Sequence, residues 1–316
     1  MYSIDLTAAL IISTIIVLVL TFRGVNVAAA LAVGSLLFGL LAFGSNLIQI
    51  LPRAFNMSMI RTLLALILAM FLAELYSMTG CSQKLVEGLS FFSTSFAALA
   101  TPALIGLLPM PGGAYVSAVI LNDLYEKLCL NAEQKVFINY WFRHIWIATW
   151  PLYQGVILAS GLLRISIGRI SIMNFPIMLT AMIIGTITGI FIIRRAANGE
   201  AFTREGRVSG LLHIWPFLLI ALTTITLHMD LVISLTIVIL IALIIYKPST
   251  RAILKSLKSS LNPTFIAIII FSFVYSTFIE ESGVAHHLLS GLSPISDLAM
   301  FLMPFLIVVG TGVEFT

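Results

Sequence analysis

The sequence predicts an all-α, polytopic membrane protein, and three observations carry that prediction. First, 60% of the 316 residues are hydrophobic and only 9% are charged, against roughly 25% charged residues in a soluble domain. The 17 basic and 13 acidic side chains are too few to cover a water-facing surface on a chain of this size, and the mean hydropathy of +1.10 agrees. Second, the apolar residues fall in continuous runs rather than in alternation, which disfavours a β-barrel. Third, about 190 apolar residues at roughly 20 per crossing amount to about nine crossings. An ordinary cytosolic enzyme, a disordered chain and a nucleic-acid binder are excluded on the same grounds.

The runs lie at 6–22, 27–43, 63–78, 95–108, 114–124, 136–163, 175–193, 211–227, 231–246, 264–279 and 298–309, about ten hydrophobic segments in all. The run 6–22 is a first span rather than the core of a signal peptide, because no basic residue precedes it. The runs 95–108 and 114–124 are too short to cross alone. They flank Pro109-Met110-Pro111-Gly112-Gly113, where proline removes backbone donors and glycine permits a positive φ, so a helix should break there. Broken backbone at membrane depth is tolerated only inside protein or against a wet cavity.

The net charge of +4 resides in loops. Arg194, Arg195, Arg204 and Arg207 in the loop 194–207, and Lys247, Arg251, Lys255 and Lys258 in the loop 247–258, mark both as cytoplasmic. The runs 211–227 and 231–246 then form a hairpin with His228-Met229-Asp230 as its outer turn. The N-terminus falls outside and Arg23 inside, while Arg53, Arg164 and Arg169 fall outside, against the charge rule. The two cysteines, Cys81 and Cys129, have neither disulfide-framework nor metal-site spacing.

The stretch beginning Gly80-Cys81-Ser82 matches the one beginning Gly283-Val284-Ala285. Gly80/Gly283, Leu85/Leu288, Gly88/Gly291, Leu89/Leu292 and Ser90/Ser293 coincide at an offset of 203. On the charge-derived topology the copies are inverted, an arrangement found in many secondary transporters. This divides the chain into a first repeat at 1–193 with its break near 109–114, a cytoplasmic linker at 194–210, and a second repeat at 211–316. The second break is Gly310-Thr311-Gly312-Val313-Glu314. Copy one continues well past its break and copy two does not, so the second repeat is expected to be cut short at its C-terminal end.

Four constellations carry candidate chemistry. At Pro109, Pro111, Gly112, Gly113 and Ala114, two half-helices would meet, with free N–H groups suited to an anion and free carbonyls suited to Na⁺ or a water. Tyr115 and Ser117 add hydroxyls; a plain loop or a proline kink is the bland alternative. In the second, Arg143 at membrane depth needs a partner or cavity and suits an anionic solute. Asn139 shares its helix face, and the imidazole of His144 suits a coupling proton. The alternative is an interfacial helix start with Trp141, Trp146 and Trp150 as an aromatic belt and Arg143 snorkelling outward. The third is the set of isolated acids: Glu74 and Glu314 as candidate cation sites, Asp123 and Glu126 as a polar helix end. In the fourth, Glu280-Glu281 and His286-His287 are metal-ligand types without metal-ligand spacing and suggest a membrane-surface helix.

Leu108-Pro109-Met110-Pro111-Gly112-Gly113-Ala114 together with Asn139-Tyr140-Trp141-Phe142-Arg143-His144 resembles an uncharacterised prokaryotic integral-membrane family, a domain of unknown function. That family is itself similar to the ion transporter superfamily of gluconate permeases, dicarboxylate/citrate carriers and arsenite-antiporter relatives. The resemblance implies two inverted repeats, each with a re-entrant hairpin and an interrupted helix, with Pro109–Ala114 and Gly310, Thr311, Gly312 and Glu314 at the two binding tips. The Ser-Asn-Thr signature of the carboxylate carriers stands at neither break.

The sequence is therefore expected to encode a multi-pass cell-membrane protein. Its expected function is secondary active transport of a small, anionic solute coupled to H⁺ or Na⁺, without catalytic residue, metal or other cofactor. The expected partners are the solute, the lipid bilayer and, as in many such carriers, a homodimer mate, but no nucleic acid. An intramembrane enzyme using His144 with Glu74 or Asp123, a structural membrane protein and a channel are the other readings.

Overall fold

The computed structural model describes residues 5–108, 113–196 and 208–284; for Val86 and residues 113–116 the description is of the backbone alone. Every regular element among them is helical. In chain order these are α1 (Leu6–Phe22), α2 (Val27–Phe43), the single turn α3 (Leu47–Ile50), α4 (Met57–Met78), α5 (Cys81–Ser90), α6 (Thr94–Gly106), α7 (Gly113–Lys127), α8 (Ala132–His144), α9 (Gln154–Leu163), α10 (Ile167–Ala196), α11 (Trp215–Ala221), α12 (Leu231–Tyr246), α13 (Thr250–Ser260) and α14 (Pro263–Ser282). Side-chain caps start several of them where the sequence places Asp, Asn or Ser: Asp5, Asn26, Ser93, Asp230, Ser249 and Asn262 each accept a backbone N–H of the first turn, which satisfies donors the helix itself leaves orphaned.

Five helical stretches among the described residues are long and apolar enough to cross a membrane: Val27–Ala54, Met57–Met78, Ile167–Ala196, Val208–Thr226 and Thr250–Ser282. Four apolar helices are shorter: Leu6–Phe22, Thr94–Gly106, Gln154–Leu163 and Leu231–Tyr246. Two expectations from the sequence need correction. The run 136–163 is not one helix but α8 and α9 with non-helical backbone between them. The loop 247–258 is mostly the helix α13.

The helices group into two compact units. Of the described residues, one takes in 5–63 together with 262–284; the other lies within Leu64–Leu261. In the first, α1 and α14 both pack on α2. Glycines make this possible: a Cβ on Gly34 would strike Val17, and one on Gly39 would strike Leu47 and Phe278. Small residues matter most where lipid removes the hydrophobic drive for helix association. Polar contacts supplement the packing. The Tyr275 hydroxyl lies 2.6 Å from Ser13 Oγ and 3.0 Å from Thr14 Oγ1, and Arg53 pairs with Glu281.

In the second unit, Leu72, Leu75 and Tyr76 of α4 form a core with Phe217 and Ile220 of α11 and with Leu235 and Val238 of α12. The Tyr76 ring meets Phe217 edge-on at 5.3 Å, and its hydroxyl donates to the His213 carbonyl at 2.7 Å. Gly88 of α5 and Gly210 touch backbone to backbone. The helices α6, α7 and α8 pack on one another beside this core.

Candidate functional site

The candidate site is built from four short helices. α6 has 13 residues, α7 has 15, α8 has 13 and α9 has 10. At 1.5 Å per residue each spans about 15–22 Å, well short of a hydrocarbon core of about 30 Å. α6 and α7 form an antiparallel hairpin. Tyr125, near the end of α7, reaches the Ala98 carbonyl near the start of α6 at 3.5 Å. Ala98 is the carbonyl that Pro102, lacking an N–H, leaves without its helical donor. α8 lies antiparallel to α7, because Asn139 meets Ser117 while Lys135 meets Glu126.

Two helix interruptions adjoin. The first begins where α6 ends at Gly106, with Leu107 and Leu108 in a turn. The second is the backbone at 145–153 between α8 and α9, where Pro151 cannot continue a helix. Indole groups of the second serve the carbonyls of the first. Trp146 Nε1 donates to the Ala103 carbonyl at 2.7 Å, and Trp150 Nε1 donates to the Leu107 carbonyl at 2.9 Å. Neither carbonyl has its i+4 helical donor. The Leu107 N–H turns to the Leu104 and Ile105 carbonyls instead of Ala103, and the residue four beyond Leu107 is Pro111, which has no N–H. α10 serves the second interruption in turn: Asn174 Nδ2 donates to the Ala148 carbonyl at 3.0 Å, and Ser171 Oγ donates to the Thr149 carbonyl at 2.5 Å.

Between the hairpin and α8 lies a polar row. Ser117 is fully buried, and its Oγ donates to Asn139 Oδ1 at 2.6 Å. One turn further along α8, at the level where α6 ends, is Arg143. Its backbone is so close to Gly106 that a Cβ there would strike the Arg143 carbonyl. Arg143 is 7% exposed, and its buried Nη1 has no hydrogen-bond partner; no ion pair reaches it among the described residues. It does not snorkel to a surface. The antiparallel pairing of α7 with α8 puts the N-terminal end of α7, which opens with Gly113, Ala114 and Tyr115, on the Arg143 side of Ser117. An arginine charge and a helix N-terminus are both electropositive.

Residues 6–316 match the family described as "Protein of unknown function (DUF401)". The chain belongs to the DUF401 family. No curated protein matches it.

Other candidates of this DUF401 chain fall into separate surroundings. His144 Nδ1 lies 2.6 Å from the Tyr140 carbonyl, and its ring stacks on that of Tyr140 at 4.2 Å. Glu74 accepts from Ser259 Oγ at 2.9 Å. Glu126 lies at an exposed helix end, 3.6 Å from Lys135. Glu281 is taken by Arg53. Among the described residues, no group of three His, Cys, Asp or Glu side chains has metal-binding geometry. Pro109, Pro111, Gly112, His286, His287, Gly310, Thr311, Gly312 and Glu314 lie outside the described residues.

The sequence reading missed the residues that hold the interruptions together. Trp146 and Trp150 passed as a candidate aromatic belt, yet the structure turns both indoles inward onto α6. Ser171, Asn174 and Gly106 went unremarked. Pro151 was the available signal for the second break. A mostly apolar cavity of about 470 Å³ opens beside that break, lined by Trp146, Thr149, Trp150, Ser171, Phe175 and Met178 among others; Arg143 does not line it.

Proposed function

We propose that this DUF401 protein is a multi-pass cell-membrane transporter that carries a small anionic solute by alternating access, driven by an H⁺ or Na⁺ gradient. The observation that carries the reading is Arg143: a guanidinium buried inside the protein, without a protein partner for Nη1, beside two adjoining helix interruptions. An unpaired buried charge is costly. A bound anion offsets that cost in the loaded state, which is the differential interaction a carrier site needs. The N-terminal end of α7 adds partial positive charge on the same side, and Ser117 and Asn139 supply polar groups one turn away.

Broken helices packed together inside a helical membrane protein suit carriers in general, which supports the proposed kinship with the ion transporter superfamily. The inverted repeat belongs to the same proposal. Its support is that Gly80, which follows α4, and Gly283, which follows α14, both adopt a left-handed backbone at φ +71° and +69°, at the offset of the sequence match. A homodimer and the second tip at Gly310–Glu314 complete the proposed architecture.

The test is uptake into proteoliposomes. The full chain is screened against organic and inorganic anions under imposed Na⁺ and pH gradients, beside Arg143→Gln. Gradient-driven accumulation of an anion by the wild type, lost in Arg143→Gln, is the expected result. Accumulation of no anion in the screen, or equal rates in the two proteins, would overturn the reading.

A further inference from the structure

We infer that α13 is an interfacial helix that binds anionic phospholipid headgroups. Ser249 caps it by accepting the Ala252 N–H, and it directly follows the apolar α12 and precedes the apolar α14, which sets it at the edge of the hydrocarbon. Its circumference divides into three stripes. Ser256 and Ser260 are buried, Ile253 packs on the core of its unit, and Ser259 Oγ is tied to Glu74 on α4 at 2.9 Å, so this side is fixed to the protein. Arg251, Lys255 and Lys258 are exposed and fall within about 60° of one another on a helix of about 3.6 residues per turn. Leu254, Leu257 and Leu261 form the adjoining stripe, 61%, 44% and 48% exposed.

A purely aqueous surface explains the cations but not the leucines, and a purely hydrocarbon surface explains the leucines but not the cations. The boundary of an anionic leaflet explains both, with the leucines among acyl chains and the cations at the phosphates. Charge complementarity favours it further. Residues 247–258 contain four cations and no acid, and none of Arg251, Lys255 and Lys258 has an ion-pair partner among the described residues. An anionic leaflet supplies the opposite charge. The inference goes beyond the proposed transport and does not depend on what solute is carried.

The experiment uses the full chain, reconstituted in bilayers of phosphatidylcholine alone or with phosphatidylglycerol, and reads thermal unfolding. Phosphatidylglycerol is expected to raise the Tm of the wild type by about 5 °C at low salt and to do so much less in high salt. The triple variant Arg251→Gln, Lys255→Gln, Lys258→Gln should melt like the wild type in phosphatidylcholine and gain nothing from phosphatidylglycerol. A wild-type Tm indifferent to phosphatidylglycerol, or a triple variant that keeps the gain, would overturn the inference. A second measurement does not depend on those variants. A nitroxide on Leu254→Cys, in a Cys129→Ser background, should be accessible to oxygen rather than to a water-soluble nickel complex. The reverse accessibility would also overturn it and would leave the basic stripe to a soluble acidic protein.

Discussion

The indole N–H of Trp150 donates to the backbone carbonyl of Leu107 at 2.9 Å, across 43 residues of sequence. That bond joins one interrupted helix to another. The residue four beyond Leu107 is Pro111, which has no N–H to offer, and the chain at Trp150 has itself left the helix. Removing the donor while keeping an aromatic ring isolates its contribution. Trp150→Phe leaves a buried carbonyl unsatisfied, which costs about 1–3 kcal/mol. Thermal unfolding in detergent should show a lowered Tm; an unchanged Tm would mean that another donor serves Leu107.

Gly106 permits the closest approach of α6 to α8. A Cβ there meets the Arg143 backbone rather than a side-chain tip that can swing aside. Gly106→Ala is therefore expected to destabilise by about 1–3 kcal/mol, as overpacking does, and to reduce uptake because it displaces Arg143. The two effects can be compared by melting curves and proteoliposome assays on the same preparation.

Arg143 should show opposed effects on stability and transport. Arg143→Met keeps similar bulk and removes a buried charge whose Nη1 has no hydrogen-bond partner. Stability is expected to rise, because the desolvation cost of a buried charge is removed, while anion uptake disappears. A loss of stability instead would indicate that the guanidinium holds the fold together rather than a solute.

Gly113 opens α7 at the first break. Gly113→Val is expected to abolish uptake without abolishing membrane insertion, because a branched side chain obstructs close approach of a solute to backbone N–H groups. Insertion is read by membrane fractionation and transport by the anion assay; wild-type uptake would remove this position from the site.

Thr101 Oγ1 and Ser82 Oγ are buried without hydrogen-bond partners and line the same small cavity, about 10 Å³. Replacing an unsatisfied hydroxyl by a methyl of similar size removes a desolvation penalty, so Thr101→Val should leave Tm unchanged or higher. A clear fall in Tm would show that a buried water satisfies both hydroxyls.

The polar row was partly legible in the sequence. Asn139 and Arg143 stand four apart in an apolar run, and a charge at that depth has few explanations. Pro109, Pro111, Gly112 and Gly113 announced the first break by chemistry alone. The second break was harder to see, because the run 136–163 keeps its hydrophobicity straight through Pro151. The indoles were ambiguous for a different reason. A tryptophan at a membrane boundary and one capping a buried carbonyl have the same composition and spacing, and only the location of the acceptor distinguishes them.

The sequence by itself determined that this chain is helical and built for an apolar surrounding: 60% hydrophobic residues with 9% charge cannot cover a protein with polar surface, an apolar medium requires backbone groups to bond within the chain, and continuous rather than alternating apolar runs select helices over a barrel. Helix starts were local as well, because an Asn, Asp or Ser cap acts within three residues. Tertiary structure alone decided which orphaned carbonyl met which donor, and that Arg143 was buried with its Nη1 unpartnered. Those outcomes depend on residues 22 to 185 positions apart in the chain, as in the contacts Ser117–Asn139 and Glu74–Ser259, and no local preference encodes a meeting of that kind.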